Sequence, residues 1–362
     1  MTIYFSLILL ISFFSYFDLV KINQFNKKLM LFFIALILIL FAGTRFETGN
    51  DWVGYTDTFE LIPDFKELWN NWQALAWFRM EPGYVIFNSI IKSFGGTIND
   101  VFLISCFITI TLLFATFKRY AIFPLITILL YMRYGYLQLN TMFVRQGIAI
   151  ALFLFSLKYI VDKKLLKYIL INLLGFFFHS SLLVALPLYF FVNKRFSNLF
   201  MVAAVFISVL LSFVDWIGYI VNFLPSFMQG AVIGYSESEV WGDMLGKINL
   251  AVIEKITIFC ICIFCRKKLE KKNHLFNIMF NLFVLNLVAY YAFFQSYVFQ
   301  QRITMVFQLS SIFLIPFLLL LLHNIRDKFI MLTLFIIIVI FFFMRYINMG
   351  SNLYIPYKSW LV

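Results

Sequence analysis

The chain has 362 residues, of which 63% are hydrophobic, 21% aromatic and only 13% charged, with a formal net charge of +12. So few charges cannot cover the water-facing surface of a fold this size, which excludes a soluble globular domain. The same composition excludes disorder, collagen and a disulfide scaffold, and it leaves an all-α, polytopic integral membrane protein.

In chain order, the N-terminus lacks a basic n-region and a small-residue cleavage site, so residues 3–20 read as a retained first span. Runs of roughly 20 apolar residues can cross a bilayer. Further spans are predicted at 29–43, 99–117, 121–136, 143–161, 198–214, 249–265, 275–295, 302–323 and 329–346. The run 165–192 is too long for one span and carries His179, Ser180 and Ser181 near its middle. It is predicted to form two short helices, 165–178 and 180–192, that meet near a membrane face. Residues 83–94 are short for a span and suit a re-entrant or interfacial helix. These assignments give about twelve crossings in a single membrane domain, 1–362. Two long outer loops, 44–98 and 215–248, are acidic and rich in aromatics, and the stretch 65–78 reads as an amphipathic helix at the lipid surface. Cys106, Cys260, Cys262 and Cys265 lie in apolar runs and read as packing residues, since no partner sits at zinc spacing.

Charge fixes the predicted orientation. The inner loops with their flanks hold 18 of the 29 basic residues and only 4 of the 17 acids, as the positive-inside bias requires. The basic residues therefore report topology, and no basic stripe on a soluble domain points to nucleic acid. The inner cations are mostly Lys, whereas Arg45, Arg79, Arg133, Arg145, Arg302 and Arg345 fall on or near the outer side. Positive-inside bias is indifferent to which cation is used. A planar guanidinium fork that grips phosphate bidentately is not.

Several ionisable residues converge on that outer face. Arg45 leaves the second span there. Arg145 (in FVRQGIA) and Arg302 (in QQRITMVF) enter their spans from it. His179 sits at the apex of the broken pair, and Asp51 and Glu81 bracket the first long loop. Each has a plain alternative: snorkelling for the Arg residues, a packing role for His179, a turn for Asp51, a helix cap for Glu81. Together, three Arg, one His and two carboxylates suit a lipid-linked pyrophosphate sugar. The Arg residues would neutralise the pyrophosphate leaving group. A carboxylate or the His would deprotonate a sugar hydroxyl, and loop Trp and Tyr would stack on sugar faces. Asp51, Asp57 and Glu60 are the one acidic group that could be considered for a divalent metal, and a weak one, so metal-independent chemistry without a cofactor is expected.

Five short motifs occur in order: Arg45-x3-Gly49-x-Asp51-x3-Tyr55; Glu81-Pro82-Gly83-Tyr84; Arg145-Gln146-Gly147-Ile148-Ala149; Phe178-His179-x-Ser181; and Arg302 before a long apolar span. The chain ends with Ile355-Pro356-Tyr357-Lys358. From about residue 40 to 357 this order resembles the EpsG/Wzy family of bacterial polysaccharide polymerases. The loop 215–248 departs from it, which leaves repeat-unit specificity open. The resemblance implies a glycosyltransferase with a GT-C-like helical bundle, working on the outer face of the cytoplasmic membrane. It would join oligosaccharide repeat units carried on undecaprenyl pyrophosphate and release that lipid. A chain-length regulator and a flippase are the partners the family implies. Arg145 and Arg302 are then expected at the pyrophosphate, with Arg45 assisting or anchoring the outer loop. Asp51 or Glu81 is expected as general base, His179 as base or orienter, and Tyr55, Tyr354 and Tyr357 as sugar contacts. Competing readings are a lipid-linked-oligosaccharide flippase, a membrane O-acyltransferase and an O-antigen ligase. A flippase should carry charge through the depth of a cavity and show an internal repeat, which is not found.

Overall fold

The computed structural model describes residues 1–78, 80–221, 248–273 and 275–361. Arg79 and most of the predicted second outer loop lie outside the described residues. Those described form helices and loops with no strand, apart from one isolated antiparallel bridge between Arg45 and Ser359. They divide into two compact units, Met1–Tyr189 with Leu322–Val362, and Phe190–Leu321.

In the first unit α1 (Thr2–Ser15) is followed by α2 (Gln24–Gly43), whose first turn is capped by Asn23 accepting from the Phe25 N–H at 3.0 Å. The loop after α2 carries α3 (Trp52–Leu61) and α4 (Phe65–Asn70), then α5 (Pro82–Ser93). Lys92 of α5 reaches back to the C-terminus of α3, donating to the Phe59, Glu60 and Ile62 carbonyls at 2.7–3.1 Å. A cation there satisfies orphan carbonyls and complements the helix dipole. A Thr97–Asp100 capping box starts α6 (Ile98–Tyr120). The buried Asp18 carboxylate accepts the Leu125 and Ile126 N–H groups, at 2.6 and 3.0 Å, at the start of α7 (Pro124–Tyr131).

The predicted span 121–136 is α-helical only over α7. It then widens into two π-helical turns, Met132–Tyr136 and Gln138–Met142, ahead of α8 (Val144–Val161). Asn140 pins this distortion, donating to the Tyr131 hydroxyl (2.7 Å) and the Tyr136 carbonyl (2.8 Å). The run 165–192 breaks at His179 as expected. However, α9 (Leu165–Phe178) is followed by a 3-10 helix over Ser180–Phe190, with Pro187 inside it. Proline removes an α-type hydrogen bond. The helices Ile325–Met349 and Ser351–Tyr354 complete this unit.

The second unit contains helices Asn198–Leu211, Trp216–Val221, Leu250–Lys272, Phe276–Ala292, Tyr297–Gln308 and Ser310–Phe317. Its buried Arg266 is fully engaged, pairing with Glu270 at 2.8 Å and donating to the Phe196 carbonyl, Asn198 and Asn277. Of the cysteines, Cys106 and Cys262 are buried, Cys265 is half-buried and Cys260 is exposed.

By length and composition, four described helices can cross a membrane: α2, α6, α8 and Ile325–Met349. A fifth span follows if Tyr297–Gln308 and Ser310–Leu321, bent by 47°, count as one. That is fewer than the twelve expected. Apolar runs that looked continuous are divided into shorter pieces at Leu309 and in the π turns, and α1, α9, Ser180–Phe190, Asn198–Leu211 and Phe276–Ala292 are apolar but short.

Candidate functional site

The site is built in the first unit, where the loop after α2, the start of α5, the start of α8 and the end of α9 meet around a cluster of Tyr55, Tyr84, Phe102 and Val144, with Trp52 and Phe178 packed against it. Gly83 permits the closest approach. A Cβ there would come within 2.7 Å of the Phe177 carbonyl, so only glycine lets α5 begin against the end of α9.

That approach sets Glu81 beside Arg145. The two side chains form an ion pair, and the other Glu81 oxygen accepts the Ser180 N–H at 3.1 Å and the Ser180 hydroxyl at 3.3 Å. Glu81 stands at the N-cap position of α5, but its side chain makes no capping bond. Its carboxylate is instead committed to Arg145 and to the first residue after His179. His179 ends α9 with extended backbone angles and is buried. Its Nδ1 accepts the Ser181 N–H at 3.2 Å and lies 2.8 Å from the Ser181 hydroxyl, which in turn accepts from the Gln146 amide at 3.1 Å. An Nδ1 that accepts a backbone N–H leaves the imidazole proton on Nε2 in the neutral ring.

Arg45 is fully buried rather than snorkelling. It donates from Nη1 to the Ala42 carbonyl (2.9 Å) and from Nε to the Thr48 carbonyl (3.1 Å), and its guanidinium lies 4.0 Å from the Phe102 ring centre. It thus ties the end of α2 to the loop that leads to Asp51. Asp51 precedes α3 and is half-buried, with no side-chain hydrogen bond capping that helix. Arg145 and Arg45 both act on its charge, which in turn is felt by the Tyr55 and Tyr346 hydroxyls.

The two carboxylates therefore differ in kind. Burial pushes the Asp51 carboxyl above its ordinary value, and the attraction of Arg145 and Arg45 offsets this only in part. Burial also works to raise Glu81. There the adjacent Arg145 and the Ser180 N–H prevail and hold the carboxyl below its usual value. A basic, uncommitted carboxylate suits proton abstraction; an ion-paired one suits orientation.

Four buried donor atoms in this region make no hydrogen bond of ordinary geometry among the described residues: Arg45 Nη2, Trp52 Nε1, Tyr84 Oη and Arg145 Nε, although Tyr55 interacts with Arg145, Asn88 with Tyr84 and Cys106 with Arg45. Buried donors are normally paired, so an excess of them matches a ligand carrying many acceptors.

Of the expected sugar contacts, Tyr55 is buried against Tyr84 (ring centres 5.6 Å apart) and Phe102. The Tyr354 hydroxyl lies 3.2 Å from that of Tyr346 and 3.4 Å from Thr141 Oγ1. Tyr357 stacks on Phe41 and donates to its carbonyl at 2.7 Å. Both C-terminal tyrosines thus have their hydroxyls engaged within the protein. Arg302 is half-buried on Tyr297–Gln308, in the second unit. No group of three or more His, Cys, Asp or Glu able to hold a metal ion occurs among the described residues.

Sequence reasoning assigned no role to Ser180, Tyr84 or Gln146. The last two lie inside the quoted motifs, beside Gly83 and Arg145. Ser180 acts largely through its backbone N–H, which no residue pattern reveals.

A family model described as the EpsG family matches residues 28–359, nearly the whole chain. No curated protein and no solved structure matches the chain.

Proposed function

From the chain's membership of the EpsG family, whose role is that of a glycosyltransferase-like polysaccharide polymerase, we propose that it joins oligosaccharide repeat units carried on undecaprenyl pyrophosphate. What supports this most is the gathering of two buried guanidinium groups, Arg45 and Arg145, each with a nitrogen that makes no hydrogen bond of ordinary geometry, beside the Asp51 carboxylate. A pyrophosphate supplies acceptors for such nitrogens.

In this reading Asp51 takes the proton from a hydroxyl of the incoming unit. The resulting oxygen attacks the anomeric carbon of the donor, and the carbon–oxygen bond to the pyrophosphate breaks. Arg145 neutralises the charge that develops on that leaving group, where a fixed cation acts most strongly. Glu81 aims Arg145, and Ser180 aims Glu81. His179 offers its Nε2 proton as a donor and orienter. Arg45 anchors the loop and contributes its Nη2. Tyr55 is the remaining candidate at the sugar. The chemistry is metal-independent.

The proposed site of the reaction is the outer face of the bacterial cytoplasmic membrane, a reading supported by the Lys-rich segments that the positive-inside bias assigns to the inner side. The short apolar helices, added to the longer ones, would bring the crossings toward twelve in a GT-C-like bundle. A flippase that delivers units and a regulator of chain length are the partners proposed. The test is a purified, reconstituted protein given lipid-linked repeat units: polymer and free polyprenyl pyrophosphate should appear together, and normal polymer from both Arg145→Ala and Asp51→Asn, at normal protein level, would remove these assignments.

A further inference from the structure

The end of the chain returns to the beginning of the site. Leu353, Lys358 and Trp360 bond the loop between α2 and α3 as a rung does its neighbour. The Gly49 N–H donates to the Leu353 carbonyl at 2.8 Å, the Phe46 N–H to the Lys358 carbonyl at 3.0 Å, and the Trp360 N–H to the Thr44 carbonyl at 3.0 Å. Ser359 forms the antiparallel bridge with Arg45, and its hydroxyl lies 3.0 Å from that of Thr44. Lys358 pairs with Glu47. More than 300 residues of chain separate the two segments, so closing them has an entropic cost that local helix formation does not supply.

The bonds bear most directly on Gly49. Its φ is +102°, and a Cβ would come within 2.7 Å of the Thr141 carbonyl in the second π turn. Gly49 is thus held between the Leu353 carbonyl on one side and the Thr141 carbonyl on the other. Asp51 follows two residues later and opens α3.

We propose that the segment Leu353–Trp360 is a strap that sets the position of Asp51, and that Gly49 is the positioning residue through which it acts. This rests on the reading of Asp51 as general base. Loose loops make poor platforms for proton transfer, where a shift near 1 Å lowers rate steeply. The strap converts this loop into part of a fixed scaffold. Arg145 and Arg45 face Asp51 as cations, and Tyr55 and Tyr346 face it as phenols. Releasing the strap lets water reach the carboxyl while these partners stay in the chain.

The experiment compares full-length wild type, Trp360→Pro, Lys358→Gln, Gly49→Ala and Asp51→Asn, reconstituted with lipid-linked repeat units, as kcat against pH. Trp360→Pro removes the N–H that bonds Thr44. It should lower kcat by on the order of 10- to 100-fold with little change in KM, and move the acid limb of the profile to lower pH as Asp51 becomes hydrated. Lys358→Gln, which spares the backbone bonds, should move the limb less and in the same direction. Gly49→Ala should lower kcat with the limb displaced likewise. The limb position is independent of how much protein folds, so a poorly folding variant still reports. Wild-type kcat and limb in Trp360→Pro, with Asp51→Asn inactive, would overturn the strap and leave the base in place. An active Asp51→Asn that keeps the acid limb would overturn the base assignment, and the strap's role with it.

Discussion

Replacing Glu81 and Arg145 singly and together tests whether Glu81 acts on substrate or only through Arg145. The side chains of the pair are 16% and 20% exposed, between a surface pair worth up to about 1 kcal/mol and a buried one whose breakage costs about 3–5 kcal/mol. Glu81→Gln keeps an oxygen for the Ser180 N–H and removes only the charge beside Arg145, so a loss of about 2 kcal/mol in orientation is expected, roughly 30-fold in kcat. Arg145→Gln removes the cation from the leaving group and should cost about 100- to 1000-fold. If Glu81 works through Arg145, the double variant is no slower than Arg145→Gln alone, giving a coupling energy of about 2 kcal/mol. The assay is release of polyprenyl pyrophosphate from a defined lipid-linked unit by reconstituted protein. Losses that multiply, with the double variant about 30-fold below Arg145→Gln, would refute the positioning role and return Glu81 to candidacy as base.

Arg45→Lys cannot bond both the Ala42 and Thr48 carbonyls or stack on Phe102 as a planar fork does, and should cost about 2–4 kcal/mol, read as a lower Tm in detergent. Because the Asp51 carboxyl is raised in the folded protein, its contribution to stability is present below its ordinary value of 3.8 and is lost as pH rises through the folded value. Asp51→Asn should therefore raise Tm at neutral pH while abolishing turnover, as scanning fluorimetry and the polymer assay would report. Glu81 has the opposite sign: its contribution is present above its ordinary 4.5 and is lost as pH falls through the depressed folded value, so Glu81→Gln should flatten the acid side of the stability profile. Chelation by EDTA should leave polymer formation unchanged, and loss of activity restored by a divalent cation would contradict metal-independent chemistry.

Much of this site was legible because its residues are costly where they stand. Arg45, Arg145 and His179 interrupt apolar runs, and burial of such groups needs a compensating partner. The partners themselves were not legible. Glu81 and Arg145 are 64 positions apart, and what joins them is the contact of Gly83 with Phe177, which follows from packing. Composition could not separate Asp51 from Glu81 either, since one carboxylate becomes basic and the other committed only through burial and neighbours. Helix content followed from hydropathy, but the crossing count did not. An apolar run reads the same whether its backbone is one α-helix, an α-helix running into π turns as at 124–142, or a 3-10 segment around Pro187. The C-terminal strap was visible only as a familiar tetrapeptide, because backbone bonds to Thr44, Phe46 and Gly49 leave no mark on side-chain identity.

The most direct measurement follows one lipid-linked unit, labelled in both its sugar and its lipid, through the purified protein in sealed vesicles. The proposed polymerase forms one new glycosidic bond for each polyprenyl pyrophosphate released, and Arg145→Gln lowers both in equal measure. Movement of intact units across the bilayer with no bond formed, or release of the lipid by transfer to water alone, would contradict it.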